Sequence, residues 1–343
     1  MSAIALGHFT EWHHVNNWQG ADTDEPSWNS ADLGGGAAVM GFFCVSGFIM
    51  TIAYGDRDFT SAEWGAINRR NFYAKRFARL APLYYFSLVV SRNYILEWPE
   101  ASPYNFLTLF CVQTWTGSPG LWNGVLWSVS TIAYFYYRFP WIISRVKRLV
   151  AKYDVQRVVI ALGLINILKY SLFFLLPWSP WDPWDLKWSV YWYARAFPPF
   201  AMSTMLIGMV VGVRRASATN LRPPTAFVGD KDGTVPVPAS EEELRERRKW
   251  VRRADGLGAG LTLVAVAIAF VTYENTDREP RDLQIYTRVI FEALIPPFVS
   301  FFLEAVTMAG EWCVAGKVLN FAFFQLLGEW SYAIYVLQLP VCE

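Results

Sequence analysis

Long apolar runs recur along this chain, each bordered by basic or aromatic residues. This pattern is typical of helices that enter and leave a lipid bilayer, because about 20 apolar residues in a helix cross the hydrocarbon core. Helices are the expected form, since an unpaired backbone group in lipid costs several kcal/mol. The sequence therefore predicts an all-α, polytopic transmembrane bundle of about 8–10 spans. The candidate spans are 34–54, 80–97, 124–144, 156–176, 195–213, 257–273, 285–308 and 319–341.

Two shorter stretches do not fit a full span. The start, from Met1 to about His14, is typical of the end of a further helix, and residues 103–116 are too short to cross comfortably. We predict that residues 103–116 form a re-entrant or interfacial segment.

Basic residues are concentrated in alternate segments between the spans. The intervening segments carry acidic side chains or a run of tryptophans between Trp178 and Trp188. By the positive-inside rule, the basic segments are predicted to be cytoplasmic loops of an integral, multi-pass membrane protein. These basic segments are 69–79, 145–157 and 214–255.

Residues 214–255 form the sizeable hydrophilic insertion in what we predict to be a single membrane-embedded domain over 1–343. Ser240 and Glu243 make a capping-box pattern that predicts a helix start. The basic end of this helix could contact anionic lipid or nucleotide phosphate. A solvated helix leading into the next span is the simpler interpretation.

Composition supports a membrane protein and argues against some other classes. Charged residues make up 17% of the chain and hydrophobic residues 54%, with a mean hydropathy of +0.21. A net charge of +1 gives no reason to expect nucleic acid as a partner. The four cysteines lie far apart, without metal-ligand spacing, so neither a metal site nor a disulfide framework is indicated.

Two motifs suggest chemistry. The first joins the apolar run GFFCVSGFIM at Gly41 to the basic-aromatic run RRNFYAKRFARLAPLYY at Arg69, and the second is LWSVSTIAYFYYRFP from Leu126 to Pro140. Their content and order resemble the integral-membrane type 3 acyltransferases, the O-antigen and exopolysaccharide O-acetylase type. This resemblance implies a donor, an acceptor and roles for particular residues.

His8 is the catalytic residue that the resemblance implies. In the family the first helix ends in a His, and the phrase ALGHF places His8 at that position. Imidazole titrates near neutrality, so it can act as a general base. The alternative is that His8, His13 and His14 are polar residues at the membrane interface.

The basic run matches the family's Arg-x-x-Arg border before Pro-Leu-Tyr. Arg76 and Arg79, together with Lys75, are predicted to bind phosphate of an acyl-CoA donor, because arginine forks bind phosphate bidentately. The competing interpretation is charge anchoring at the cytoplasmic interface.

The second motif matches the family's Leu-Trp-Ser-x-Ser-x-Glu run, except that Ile132 stands at the Glu position. Ile can neither orient a base nor bind a hydroxyl, so this departure counts against activity. The residues Trp127, Ser128, Ser130 and Tyr136 are predicted to contact the acceptor or to serve as a structural motif. Serine hydroxyls that bond within or between helices are the structural alternative.

Weaker matches occur at Arg195–Gly212 and Leu326–Val341, where Gln338 stands at a family His. The family's Arg upstream of the catalytic His would fall before Met1, and the family continues beyond the last helix. We therefore expect a bundle truncated at both ends relative to the family.

The resemblance implies a membrane acyltransferase with no bound cofactor. It would move an acetyl or short acyl group from acyl-CoA, as co-substrate, to a hydroxyl of a carbohydrate or lipid-linked acceptor. The alternative is a non-catalytic or transport-like membrane protein on the same fold, which Ile132, Gln338 and the missing upstream Arg favour.

Overall fold

A computed structural model describes residues 30–91, 103–116, 126–175, 191, 193–218, 241–274 and 281–342. Within these ranges the chain is helical and contains no β-strand, so the all-α prediction is confirmed. The helices are α1 (Ser30–Tyr54), α2 (Gly65–Val90), α3 (Pro103–Leu109), α4 (Leu126–Lys152), α5 (Val155–Leu175), α6 (Pro198–Ser217), α7 (Glu241–Glu274), α8 (Arg281–Ala309), α9 (Val314–Leu319) and α10 (Ala322–Cys342). Short 3₁₀ turns cover Gln113–Thr116 and Gly310–Trp312.

The eight long helices correspond to the eight predicted spans, but their starts differ. The basic segment 69–79 forms the first half of α2, so the prediction of a turn there is wrong. Its alanines, arginines and aromatic residues sustain a helix, and neither Gly nor Pro interrupts it before Pro82. Similarly, the basic residues after 144 extend α4, and α7 joins the predicted capping-box helix to the following span in one helix of 34 residues.

By length and composition, one helix in the described part of the chain, Val289–Trp312, is apolar enough to cross a membrane. The apolar part of α1, Ala38–Tyr54, is shorter. Charged residues lower the hydropathy of two other long helices: five Arg or Lys side chains lie between Arg69 and Arg79 of α2, and Arg138 lies within α4.

The centre of the bundle is the close contact between α1 and α6, with α8 packed against both. Glycine makes this approach possible. A Cβ added at Gly208 would lie 1.9 Å from the Cys44 carbonyl oxygen, and one at Gly47 would lie 2.1 Å from the Met205 carbonyl oxygen. Small residues that let backbones touch are typical of helix pairs in membranes.

The turn between α1 and α2 is organised by an exposed carboxylate. Asp58 accepts hydrogen bonds from the backbone N–H groups of Thr60, at 2.9 Å, and Ser61, at 3.0 Å. These donors favour the charged form and lower the pKa of Asp58 to about 2. The turn therefore keeps its shape through the physiological pH range.

Three segments that join helices meet at one end of the bundle. The end of α1 (Gly55, Asp56), the tight turn between α4 and α5 (Tyr153, Asp154) and the end of α6 (Arg214) line one shallow depression. The basic segments 145–157 and 214–255 therefore both reach the end of the bundle where α1 ends. At this end Arg214 also pairs with Glu304 of α8 through two hydrogen bonds.

Candidate functional site

A cavity of about 110 Å³ lies between α1, α2, α4 and α10. We call it the central cavity. Its lining includes Arg76 and Arg79 of α2, Ser128 and Tyr136 of α4, and Tyr335 of α10. The structure thus brings together two motifs that are about 50 residues apart in the sequence.

Arg76 marks one end of the central cavity. Its Nη2 donates to the Tyr54 hydroxyl at 2.5 Å, and its guanidinium lies 4.9 Å from the Tyr54 ring centroid and 5.6 Å from that of Tyr136. The Nε of Arg76 is buried without a hydrogen-bond partner in the described part of the chain. No described carboxylate forms an ion pair with this arginine. A cation held by aromatic faces, without a carboxylate, is suited to an anionic ligand.

Arg79 is one helical turn further along α2 and also lines the cavity, although the residue as a whole is exposed. Lys75 is exposed and lines neither this cavity nor a neighbouring groove between α2 and α4. The two arginines are therefore better placed to bind a ligand inside the cavity than the lysine is.

A hydroxyl pair marks the other end. Ser128 donates a hydrogen bond of 2.7 Å to the hydroxyl of Tyr335, and both side chains are buried. Along α4, the eight residues from Tyr136 to Ser128 span about 12 Å. The cavity therefore extends from a cationic end at Arg76 to a hydroxyl-bearing end at Ser128, with the aliphatic Ile132 between them.

The other two residues of the second motif support the cavity from outside. Ser130 donates to the Cys111 carbonyl at 2.8 Å and lies 2.8 Å from the Thr114 hydroxyl, so it fastens the 3₁₀ turn to α4. Trp127 is buried, with its ring 5.9 Å from that of Phe43. Ser130 therefore bonds from α4 to this turn and does not line the central cavity.

Behind Trp127 lies a buried charged cluster that sequence reasoning missed. Arg195 lies 4.8 Å from the Trp127 ring centroid, and its Nε is 3.7 Å from Oε1 of Glu292. Tyr191 and Tyr170 donate to the two carboxylate oxygens of Glu292 at 2.8 and 3.1 Å. Glu292 is fully buried.

Lys169 belongs to the same cluster. Its Nζ lies 5.0 Å from the Tyr170 ring centroid and is buried with no hydrogen-bond partner among the residues described. The sequence did contain a signal for this cluster, because Lys169 and Glu292 each lie inside a predicted span, and ionisable residues at membrane depth are functional candidates.

His8, the predicted base, lies outside the described residues, and so do His13 and His14. Within those ranges, no group of three or more His, Cys, Asp or Glu side chains could hold a metal ion.

The described helices thus enclose a cavity that is cationic at one end and hydroxyl-bearing at the other. The sequence model of the type 3 acyltransferases, described as an acyltransferase domain, matches residues 1–343. The chain therefore belongs to this family of membrane-associated acyltransferases. No curated protein and no solved structure matches the chain.

Proposed function

We propose that this protein is a multi-pass membrane enzyme that moves an acetyl or short acyl group from acyl-CoA to a hydroxyl of a carbohydrate or lipid-linked acceptor. Membership of the acyltransferase family supports group transfer. The observation that carries the proposal is the central cavity, because it joins Arg76 and Arg79 to the Ser128–Tyr335 pair.

The length of the cavity suits a donor that is anionic at one end and reactive at the other. An acyl-CoA carries its phosphates far from its thioester, with an extended polar arm between them. In our proposal the two arginines bind phosphate, and the arm follows the cavity for the roughly 12 Å between Tyr136 and Ser128. The thioester then lies near the hydroxyl-bearing end.

His8, which lies outside the described residues, is proposed as the general base of the reaction. It takes the proton from the acceptor hydroxyl as the oxygen attacks the thioester carbonyl. The carbon–sulfur bond then breaks, and the departing CoA thiolate takes up a proton, which leaves an ester and free CoA. Ser128 and Tyr335 are proposed to orient the acceptor at the point of attack.

The proposed orientation places the basic segments on the cytoplasmic side, where acyl-CoA is made. The meeting of the α1, α4 and α6 ends at one face of the bundle supports a common side for two of these segments. The positive-inside rule supports the assignment of that side.

The test is transfer of labelled acetyl from acetyl-CoA by the purified protein in detergent, with a mixture of carbohydrate acceptors. A base typically contributes about 10²- to 10⁴-fold to rate. His8→Ala should therefore abolish transfer while expression and folding are retained, whereas His13→Ala and His14→Ala should change the rate little. Wild-type rates in His8→Ala would contradict the catalytic assignment.

A second candidate is a non-catalytic or transport-like protein on the same fold. One observation favours it: Ile132, which stands where the family has Glu, is buried in the wall of the central cavity. If the wild-type protein bound CoA but transferred no acetyl to any acceptor, this candidate would replace the first.

A further inference from the structure

A second concave surface lies on the opposite side of the wall that α2 and α4 share. We call it the α2/α4 groove. It has a volume of about 320 Å³ and is lined mostly by apolar and aromatic residues of α2, α4 and the segment after α3. Four residues, Arg76, Leu80, Val129 and Tyr136, line both the groove and the central cavity, so the two concave surfaces are adjacent.

The outer edge of the groove is unusually apolar for an exposed surface. Phe77 is 68% exposed, Phe110 is 61% exposed and Tyr137 is 59% exposed. Two small residues, Ala81 and Ala133, lie in its floor and leave room for an occupant. In the proposed multi-pass placement, the part of the groove beyond residue 79 would face hydrocarbon.

Two cations lie near the end of the groove at Tyr73 and Tyr137, although neither lines the groove itself. Tyr73 donates to the Tyr137 carbonyl at 2.9 Å, and it lies within electrostatic reach of both Arg69 on α2 and Arg138 on α4. Arg69 donates to the Phe59 carbonyl and lies 5.0 Å from the Trp141 ring. Neither arginine forms an ion pair with a carboxylate in the described ranges.

The length of the groove suits a headgroup and the first part of one acyl chain. From Tyr73 to Tyr84 the groove follows α2 for 11 residues, or about 16 Å. Its first half lies beside the basic segment 69–79, and its second half enters the predicted span that begins at residue 80. A chain that begins near the arginines and fills the groove would therefore enter the proposed hydrocarbon region.

We propose that the α2/α4 groove binds an anionic phospholipid from the leaflet on the side of the basic segments. Arg69 and Arg138 bind the headgroup phosphate, and one acyl chain lies over Ala81 and Ala133. This assignment relies on the proposed multi-pass placement but not on acyl transfer. Arg76 lines both concave surfaces, and in this assignment it binds the donor phosphate rather than the lipid phosphate.

The experiment is native mass spectrometry of the delipidated full chain in a neutral detergent, with no CoA or acceptor present. Dioleoylphosphatidylglycerol is the probe. Glycerol phosphate tests the headgroup alone, and dioleoylglycerol tests the chains alone. We expect the wild type to retain phosphatidylglycerol and to bind either fragment at least about tenfold more weakly, because neither fragment makes both sets of contacts.

Two kinds of variant test the two halves of the site. Arg69→Gln and Arg138→Gln should each weaken phosphatidylglycerol binding about tenfold, since a charged donor to phosphate is lost. Ala81→Leu and Ala133→Leu should weaken it similarly by filling the groove. Ala78→Leu is the matched control on α2, because Ala78 is exposed and lines neither concave surface. Arg148→Gln is the control for charge on α4, since Arg148 is exposed and outside the groove.

Several outcomes would overturn the proposal. If the wild type and both groove-filling variants bound phosphatidylglycerol equally well, the acyl chain would not lie in the groove. If Arg138→Gln and Arg148→Gln weakened phosphatidylglycerol binding equally, the headgroup would be attracted by general surface charge and not by a specific site. Tighter binding of an isoprenoid phosphate than of phosphatidylglycerol would give the groove to a lipid-linked acceptor instead. Since acyl transfer is not measured, an inactive enzyme would leave these results interpretable.

Discussion

Arg76 shows what a single side chain contributes to the central cavity. Its guanidinium is held by the Tyr54 hydroxyl and by aromatic faces, with no carboxylate partner among the described residues. Its position is therefore fixed before any ligand arrives. A preorganised cation loses little entropy when it binds an anion, so its contribution is expected mainly in donor affinity.

Replacement of Arg76 by Ala should raise KM for acetyl-CoA more than it lowers kcat, because a contact made equally in the ground state and the transition state contributes uniform binding. Steady-state kinetics with varied acetyl-CoA will measure both. Arg70→Ala is the control, since Arg70 is an exposed residue of α2 that lines neither the cavity nor the groove. A fall in kcat with KM unchanged would contradict donor binding at this position.

Glu292 is the second residue with a testable role. Its buried carboxylate accepts from Tyr170 and Tyr191 and lies beside Arg195. Glu292→Gln keeps the shape but leaves the nearby cations without their counter-charge, and breaking such a buried pair costs on the order of 3–5 kcal/mol. A marked fall in the thermal unfolding temperature in detergent is expected.

The control for Glu292 is Glu246→Gln. Glu246 pairs with Lys249 at 2.5 Å on the surface of α7, where an ion pair contributes at most about 1 kcal/mol. If both variants unfolded at the wild-type temperature, the buried cluster would not contribute to the stability of the fold.

At this scale, the short motifs in the sequence locate part of the cavity lining. Of the described candidate residues, Arg76, Arg79, Ser128 and Tyr136 line the cavity. Lys75, Trp127 and Ser130 do not, and the role of every candidate stays a prediction. The residues missed, Tyr335 and Glu292, reach their partners from helices about 100 to 200 positions away in the chain. Such contacts depend on which helices pack together, and apolar runs of similar composition do not encode that.

At the scale of the element, the α1–α6 pair determines how tightly the bundle packs. Gly208→Ala would place a Cβ 1.9 Å from the Cys44 carbonyl oxygen, so the helices must separate. Overpacking of this kind typically costs about 1–3 kcal/mol or more. We expect a lower unfolding temperature and a larger fraction of aggregated protein on size-exclusion chromatography.

Gly260→Ala on α7 is the matched comparison for Gly208→Ala. A Cβ added at Gly260 meets no atom of the described residues within 4 Å, so Ala should be neutral or raise helix stability by up to about 1 kcal/mol. Equal behaviour of the two variants would show that the close contact of α1 and α6 does not limit stability.

Helix existence was predictable because apolar runs of about 20 residues have few alternative structures. Helix starts were not, and α2 shows why. The expectation of a loop at 69–79 came from its charge, whereas local propensity there favours a helix that extends beyond its apolar part. Charge indicates which side of a membrane a segment prefers but not whether its backbone is helical.

At the scale of the whole molecule, the basic segments set the proposed orientation. Single cysteines at Asp230 and Asp185, in a background with Cys44, Cys111, Cys313 and Cys342 replaced by Ser, should label from opposite sides. A membrane-impermeant maleimide should reach Asp185→Cys in intact cells and Asp230→Cys only after permeabilisation. The reverse pattern would invert the topology, and equal labelling in intact cells would contradict the multi-pass arrangement.

The four walls of the central cavity are not equally stiff. α1 is bound to α6 by backbone contact at Gly47 and Gly208, and α4 is fastened through Ser130. In the described part of the chain α10 packs mainly against α2, and hydrogen bonds tie it to the cavity at two tyrosines, Tyr332 to the Leu80 carbonyl and Tyr335 to Ser128. Two walls of the cavity, α1 and α4, are therefore held by close contacts elsewhere in the bundle, whereas α10 packs mainly against another wall. We expect a proposed acceptor that is wider than the cavity to displace α10 before it displaces α1 or α4.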